Sequence, residues 1–180
     1  LDIVTTIDIN LQDLAENALL RLLQENEANM GCVILMEVQT GYIKAIANLK
    51  INQKTGVYEE SYNYAVAELI EPGSTFKLPN IMVAIEDGNI KLSDVIVTGD
   101  GSEEIHGMTV SDVHQIDDGV VTVREVFEHS SNVGMAKIIN KCFENRPSMY
   151  IDRLYSMSLN QPLGIEIAGE GKPFIKHPSD

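Results

Sequence analysis

The sequence predicts an α+β fold, and three observations lead to this class. A helical pattern of leucines fills the first 25 residues, two β-rich runs around a Thr-Gly turn come next, and helical patterns return from residue 74. The chain has 180 residues, of which 44% are hydrophobic and 22% are charged, as in an ordinary globular domain. Because two strands alone are not a stable sheet, another element must pair with the hairpin or cover it.

Composition excludes several classes of protein. Thirteen Lys and Arg residues against 27 Asp and Glu residues give a formal net charge of −14. Nucleic-acid binding needs clustered basic residues, so we expect no nucleic-acid partner. The longest apolar runs, such as residues 33–36, are far shorter than the ~20 residues that cross a bilayer. The histidines and cysteines show no metal-ligand spacing, so no metal site is predicted.

The N-terminal residues predict a helix with a polar cap. Residues 1–9 are rich in Ile, Val and Thr, which indicates a short strand or a lead-in segment, and Asp8 is placed as an N-cap. The helix is expected to end near residues 25–26. Its apolar face, with spacings of three and four, consists of Leu11, Leu14, Ala15, Ala18, Leu19, Leu22 and Leu23.

A β-hairpin is predicted after this helix. Residues 32–38 and 42–47 are β-rich runs on either side of a turn at 39–41. Cys32 lies in the first run, and Cys142 lies far away in sequence. We expect two buried, reduced thiols, and a disulfide between them is the alternative.

A loop should connect the hairpin to the next helix. Residues 49–73 are expected to form this loop, and the Pro-Gly pair at its end interrupts the chain before a helix that begins near Ser74. Asp87 and Gly88 should end that helix. Pro79 lies inside it, so we expect a kink.

The second half of the chain is predicted to be irregular first and helical afterwards. Residues 95–120 are rich in Gly, Asp and short apolar pairs, which indicates irregular structure with short strands. Helices are expected over residues 123–127, 133–139 and 150–157. A Gly- and Pro-rich tail begins at residue 161.

The sharpest local feature is the segment 71–77, which reads EPGSTFK and contains S-x-x-K where a loop becomes a helix. Residues i and i+3 share a helix face, so the Lys77 amine can approach the Ser74 hydroxyl. A serine is a weak nucleophile without a base, and a lysine serves as one only if burial or nearby cations depress its pKa. A capping serine with a solvated lysine is the alternative interpretation.

A second motif strengthens the catalytic interpretation. Residues 130–132 read SSN, an S-x-N triplet between two helical stretches, and S-x-x-K with S-x-N and K-T-G is the motif set of penicillin-binding proteins and serine β-lactamases. The context resembles the transpeptidase domain of monofunctional, class B penicillin-binding proteins, over nearly the whole chain and in family order. The resemblance is carried by residues 4–8, Leu11-Gln12, residues 31–45, Asn63, residues 71–77, residues 122–134, Leu163-Gly164 and Gly169-Glu170.

This resemblance implies the penicillin-binding-protein and serine β-lactamase-like transpeptidase fold, with a role for each motif residue. Ser74 would attack the penultimate D-Ala carbonyl of a peptidoglycan stem peptide ending in D-Ala-D-Ala, and Lys77 would take its proton. Ser130 would relay a proton to the leaving amine, and Asn132 would bind the substrate's amide. β-Lactam antibiotics would acylate Ser74. No cofactor is implied, and cell-wall synthesis or division proteins are the expected partners.

The sequence departs from the family pattern after Asn132. No K-T-G occurs over residues 133–180, although in the family this triplet lies on a later strand that forms one wall of the cleft. We therefore expect a truncated fold, with an N-terminal helix and hairpin at 1–48, a loop at 49–73 and a mostly helical subdomain at 74–180. Later strands and an N-terminal membrane anchor would belong to a parent protein on the extracytoplasmic face of the bacterial inner membrane. The chain alone should be inactive or very weak.

Several motif copies stand in the wrong order. Lys54-Thr55-Gly56 is a literal K-T-G, but it precedes Ser74 and is predicted to be a turn. The S-x-N copies at residues 61–63 and 158–160 are expected to be structural.

Three other functions remain open on the sequence alone. They are a β-lactam-sensing receptor domain, a non-catalytic interaction module, and a hydrolase that trims D-Ala from stem peptides.

Overall fold

The computed structural model describes residues 2–87 and 90–180. The chain divides into two units, one comprising Leu1–Leu69 with Pro162–Gly171 and the other Ile70–Gln161 with Lys172–Asp180. The first unit combines helices with a three-stranded antiparallel sheet and the second combines helices with two two-stranded antiparallel sheets, so the predicted α+β class is confirmed. Within the described ranges, the helices are too short or too polar to span a bilayer.

The first unit begins with helix α1, Ile9–Glu25. Asp8 caps it as predicted, because its Oδ1 accepts hydrogen bonds from the backbone N–H groups of Asn10 (2.9 Å) and Leu11 (3.3 Å). The strand considered for residues 1–9 does not form over residues 2–8. These residues instead lead into the helix, and the Asp8 N–H donates to the carbonyl of Lys44.

A three-stranded antiparallel sheet packs beneath α1. Strands β1 (Met30–Met36) and β2 (Ile43–Ile51) form the predicted hairpin, and β3 (Tyr58–Glu59) pairs with the end of β2. The core between helix and sheet contains Leu19, Leu23, Ala47 and Leu49. This answers the sequence-based expectation that another element must cover the hairpin.

The loop expected at residues 49–73 is shorter and more ordered than predicted. Strand β2 runs to Ile51, β3 lies inside the expected loop, and helix α2 (Tyr64–Ala67) adds a single turn. The phenol of Tyr58 explains part of this order, since it donates to the carbonyl of Leu23 in the last turn of α1 (3.2 Å) and to that of Ala28 just before β1 (2.7 Å). Such long-range bonds leave no local sequence pattern.

The expectation of two buried thiols is wrong for one cysteine. Cys142 is buried, whereas Cys32 is exposed on β1, and both are free. Alternation along β1 is the reason, because Gly31 and Val33 face α1 while Cys32 points to the opposite face of the strand.

The second unit begins at the S-x-x-K segment. A 3₁₀ helix over Gly73–Phe76 leads directly into helix α3, Lys77–Glu86. Pro79 is the third residue of α3, within the first turn, where proline is tolerated. Asp87 is the C-cap of α3, and Gly88 lies outside the described residues.

Short strands follow, as predicted for residues 95–120. Strand β4 (Val95–Val97) pairs antiparallel with β7 (Val120–Thr122), and β5 (Ser102–Ile105) forms a hairpin with β6 (Met108–Ser111). The turn of this hairpin places His106 at a φ of 51° beside Gly107 at 77°. The hairpin ends immediately before Asp112, which becomes important for the site.

Three helices complete the second unit, as predicted: α4 (Val123–Glu128), α5 (Asn132–Phe143) and α6 (Pro147–Ser156). A capping box between Thr122 and Glu125 starts α4. The helices share a core with α3, which includes Ile81, Val83, Val126, Ile138, Phe143 and Leu154. This core fixes the ends of α3, α4 and α5 that carry the candidate site.

Candidate active site

The candidate site is centred on the side-chain nitrogen of Lys77, the first residue of α3. Lys77 is only 8% exposed, and its Nζ donates to the hydroxyl oxygens of Ser74 (3.3 Å) and Ser130 (3.0 Å). It also donates to the Ser130 carbonyl (2.5 Å) and to Oδ1 of Asn132 (2.6 Å). The structure therefore brings together the four residues singled out from the two motifs, although they lie up to 58 positions apart in sequence.

Local backbone structure aligns Ser74 with Lys77. Gly73 has a φ of 59°, which glycine adopts without the steric cost of a side chain, and it starts the 3₁₀ helix. In a 3₁₀ helix the side chains of residues i and i+3 eclipse each other, so Ser74 and Lys77 project in the same direction. The hydroxyl of Thr75 donates to the carbonyl of Pro72 (2.6 Å), which closes this turn.

Ser130 occupies a left-handed backbone conformation between α4 and α5. Its φ is 55°, a region that non-glycine residues rarely adopt and that costs on the order of 1 kcal/mol or more. The N–H of Ser130 donates to the carbonyl of Phe127 (3.1 Å), and that of Ser131 donates to Val126 (2.9 Å). The bend lets both the carbonyl and the hydroxyl of Ser130 reach Lys77.

Asn132 is the first residue of α5 and is held at both ends of its amide. Oδ1 accepts from Lys77, and Nδ2 donates to the backbone carbonyl of Ser111 (2.8 Å). A carbonyl can only accept, so this second contact fixes which end of the amide faces the lysine.

The surroundings of Lys77 have two opposite effects on the pKa of its ammonium group. Burial lowers the pKa of the ammonium below its usual value of 10.5, and the negative charge of Asp112 raises it. Burial is the larger effect, so the neutral amine forms at lower pH than on an exposed lysine. This is the condition under which a lysine can take a proton from a serine.

Sequence reasoning gave no role to two residues that support the site, Asp112 and Ser131. The Asp112 carboxylate accepts from the hydroxyl of Ser131 (2.8 Å), from the N–H of Val133 (3.0 Å) and from the N–H of Asn132. Ser131 is itself 1% exposed and caps α5 by accepting from the N–H of Gly134 (2.8 Å). Placing the start of the predicted helix at residue 132 would have identified Ser131 as its N-cap. Asp112 could not be found in this way, because no sequence pattern near residue 112 indicates a contact with α5.

Two cavities adjoin Ser74. The larger, of about 760 Å³, has Ser74, Lys77 and Asn132 on its wall and extends along the apolar side chains of α5 to Tyr150. The smaller, of about 300 Å³, is lined by Ser74 and Ser130 together with Asp112, His114, Gln115, Asp117 and His129. Both give a substrate-sized space next to the serine hydroxyl.

The out-of-order K-T-G copy has the structure predicted for it. Lys54-Thr55-Gly56 forms a turn in which the N–H of Gly56 donates to the carbonyl of Asn52 (2.8 Å). In the S-x-N copy at 61–63, the Oδ1 of Asn63 accepts from the amide of Asn48 (3.1 Å) within the first unit.

Comparisons with known proteins agree with these motifs. Residues 31–175 match the model of the penicillin binding protein transpeptidase domain. The chain is 30% identical, over 178 residues, to the peptidoglycan D,D-transpeptidase FtsI of Buchnera aphidicola, and this match covers 97% of the chain and 30% of that protein. It is 28% identical over 173 residues to FtsI of Escherichia coli K12, covering 94% of the chain and 28% of that protein. The chain thus spans about a third of the length of these relatives.

Solved structures also resemble this fold. Penicillin binding protein 3 of Mycobacterium tuberculosis, in its apo form and in complex with ampicillin, superposes with a TM-score of 0.79 at 26% identity. Each match covers 97% of this chain and 39% of the other. The predicted transpeptidase fold is therefore confirmed for the part of the domain that this chain represents.

Proposed function

Because the chain belongs to the family of penicillin binding protein transpeptidase domains, we propose that it carries the nucleophilic half of a peptidoglycan D,D-transpeptidase site. One observation supports this most directly: a buried lysine amine lies within hydrogen-bonding distance of two serine hydroxyls, those of Ser74 and Ser130. The name of the relatives, peptidoglycan D,D-transpeptidase, gives the substrate class.

The proposed reaction begins with formation of an acyl-serine. The Ser74 oxygen attacks the carbonyl of the penultimate D-Ala of a stem peptide, and the neutral amine of Lys77 accepts the serine proton. The C–N bond to the terminal D-Ala then breaks. An amine of a second stem peptide attacks the ester, forms the crosslinking amide and releases Ser74.

Ser130 completes the proposed path of the proton. Its hydroxyl lies 3.0 Å from the Lys77 nitrogen, so a proton received by Lys77 passes through Ser130 to the leaving nitrogen. Asn132 holds the amine through Oδ1, and one N–H of its Nδ2 donates to the Ser111 carbonyl. The second N–H of Nδ2 is the proposed donor to the stem-peptide amide. The backbone N–H of Ser74 serves as one oxyanion donor.

The same serine is the proposed target of β-lactams. In that reaction the Oγ–acyl bond forms while the lactam C–N bond breaks, and the ring nitrogen takes the proton relayed by Ser130. The ampicillin complex of the M. tuberculosis protein supports this proposal, since its fold matches the present one. From the resemblance to class B penicillin-binding proteins, we also propose that the parent protein acts on the outer face of the inner membrane with wall-synthesis or division proteins.

We further propose that these 180 residues alone are acylated weakly. No K-T-G follows Asn132 in this sequence. In the family, the strand that carries this triplet supplies the second N–H donor to the oxyanion. Loss of one such donor costs roughly 10²–10³ in rate.

Labelling with a fluorescent penicillin tests the proposal. The chain is incubated with the reagent, the adduct is located by peptide mass spectrometry, and a complete transpeptidase domain containing this sequence is treated in parallel. We expect full labelling at Ser74 in the domain, slow labelling in the chain, and none after Ser74→Ala. Ser61→Ala, in an out-of-order S-x-N copy, is the matched control and should be labelled normally. An adduct that survives Ser74→Ala would exclude the proposed nucleophile.

A further inference from the structure

We propose that Asp112 is a positioning residue that sets the geometry of Ser130 and Asn132 around the lysine. The inference rests on the roles proposed above for Ser74 and Lys77. The hydrogen bonds of the Asp112 carboxylate go to Ser131, Asn132 and Val133 at the start of α5. Asp112 therefore affects the reacting groups through the first turn of this helix.

The Asp112 carboxylate completes the N-terminus of α5. The first N–H groups of any helix lack acceptors within the helix. Here Oδ1 of Asp112 accepts from the N–H groups of Asn132 and Val133, and the Ser131 hydroxyl accepts from Gly134. Oδ2 of Asp112 in turn accepts a hydrogen bond from the Ser131 hydroxyl (2.8 Å). One carboxylate therefore holds the middle and last residues of the S-x-N triplet and the residue after them.

The neighbour of Asp112 holds the side chain of the same asparagine. The Ser111 carbonyl accepts from Nδ2 of Asn132 at 2.8 Å, so two consecutive residues hold Asn132 by its backbone and by its amide. This pair of contacts directs Oδ1 to Lys77.

The hairpin that ends in Ser111 is itself anchored to α5. Lys137 on α5 forms an ion pair with Glu103 on β5 (2.9 Å) and donates to the carbonyl of Val97 (2.8 Å). At the hairpin turn, Nε2 of His106 lies 2.7 Å from Oδ1 of Asn140. These contacts hold the hairpin before Asp112 against α5, so that Asp112 has a fixed position at the start of this helix.

Other titratable groups line the cavity between Asp112 and Ser130. They are His114 and Asp117, from the segment after β6, and His129, from the end of α4, while Lys77 approaches from α3. Glu104 on β5 provides a matched control, because it is an exposed carboxylate of the same hairpin, lines neither cavity beside Ser74 and is absent from the hydrogen bonds to α5 described above.

Acylation rates in a complete domain containing this sequence test the role. Asp112→Asn keeps the size of the side chain but removes its charge and one acceptor oxygen. Misplacement of reacting groups by 1 Å can cost about 10²-fold, so we expect acylation of Ser74 to slow by roughly 10- to 100-fold. Glu104→Gln should react at the unsubstituted rate. An unchanged rate in Asp112→Asn would overturn the proposal.

The pH profile separates positioning at the lysine from general damage to the fold. The charge of Asp112 raises the pKa of Lys77, so its removal lowers that pKa. The rising limb of the acylation profile should therefore move to lower pH in Asp112→Asn and stay in place in Glu104→Gln. A slower reaction with an unmoved limb would assign Asp112 a merely structural role and contradict the inference.

NMR measurements on the present chain test the hydrogen bonds from Asn132 and Val133 to Asp112 independently of activity. The amide N–H groups of Asn132 and Val133 donate to the Asp112 carboxylate, so Asp112→Asn should shift both amide proton resonances and speed their exchange with solvent, whereas Glu104→Gln should do neither. Resonances and exchange rates that stay unchanged in Asp112→Asn would refute the contacts. Absence of any adduct in the unsubstituted domain would instead refute the proposed function, so the two failures are distinguishable.

Discussion

Lys77 and Ser74 meet across one 3₁₀ turn, with the amine nitrogen 3.3 Å from the serine hydroxyl oxygen. The same nitrogen faces three further oxygens, two from Ser130 and one from Asn132, whereas an ammonium has only three N–H groups to donate. The four acceptors compete for these donors around a buried amine, although Ser74 and Ser130 are themselves exposed. The protonation state of Lys77 therefore decides which of these hydrogen bonds can form.

The stability of the chain should depend on pH through Lys77. Burial lowers its pKa in the folded state below 10.5, so between these two values the unfolded chain binds more protons than the folded chain. The free energy of unfolding therefore rises with pH across this window, by about 1.4 kcal/mol for each unit of pKa difference. Lys77→Met lacks the proton, so its stability should not share this rise. Urea unfolding of both proteins from neutral pH to 10.5 measures the difference.

An exposed lysine provides the control for this experiment. Lys54→Met, in the turn that contains the out-of-order K-T-G, should keep the same pH dependence as the unsubstituted chain. A stability difference between the unsubstituted chain and Lys77→Met that stays flat with pH would contradict the effect of burial.

The motif residues of the site were predicted from the sequence, but the residues that position them, Asp112 and Ser131, were not. Spacing of three residues aligned Ser74 with Lys77, and the S-x-N triplet supplied Ser130 and Asn132. Helical periodicity also located α1, α3, α5 and α6. Each helix and each motif is local, so a short window of sequence contains it. The meeting of the two motifs at Lys77, across 53 and 55 positions, was implied by the family resemblance instead.

The features that escaped prediction are long-range. Asp112 contacts residues about 20 positions later, and Tyr58 orders an expected loop through carbonyls 30 or more positions earlier. Cys32 was misjudged for a related reason, since an apolar strand does not reveal which of its faces a helix covers. The left-handed conformation of Ser130 likewise depends on the helices at both sides rather than on its own residue type.

The two thiols should differ strongly in reactivity. Cys32 is exposed on β1, whereas Cys142 is 6% exposed and burial raises the pKa of its thiol. The thiolate is the reactive form, so alkylation by iodoacetamide should be at least about tenfold slower at Cys142. Peptide mass spectrometry over a time course measures both sites in one sample, and addition of urea should equalise the two rates. Equal rates without urea would contradict the burial of Cys142.

Gly134 should be required for the packing of α5 on α4. A Cβ at this position would lie 2.5 and 2.7 Å from the two methyl groups of Val126 and 2.9 Å from the Ser131 hydroxyl. Alanine favours a helix over glycine by about 1 kcal/mol, but overpacking a core costs about 1–3 kcal/mol, so Gly134→Ala should destabilise the chain on balance. Urea unfolding measures the change.

A second substitution identifies the cause of this loss. Val126→Ala removes the methyl groups that the new Cβ would meet, so the double variant should be more stable than the sum of the two single changes predicts, by about 0.5–3 kcal/mol. Strict additivity would show that Val126 is not the obstacle. The new Cβ would also lie against the Ser131 hydroxyl, which binds Asp112. Gly134→Ala should therefore disturb the amide resonances of Asn132 and Val133, and this disturbance should persist in the double variant because Val126→Ala leaves the contact with Ser131 in place.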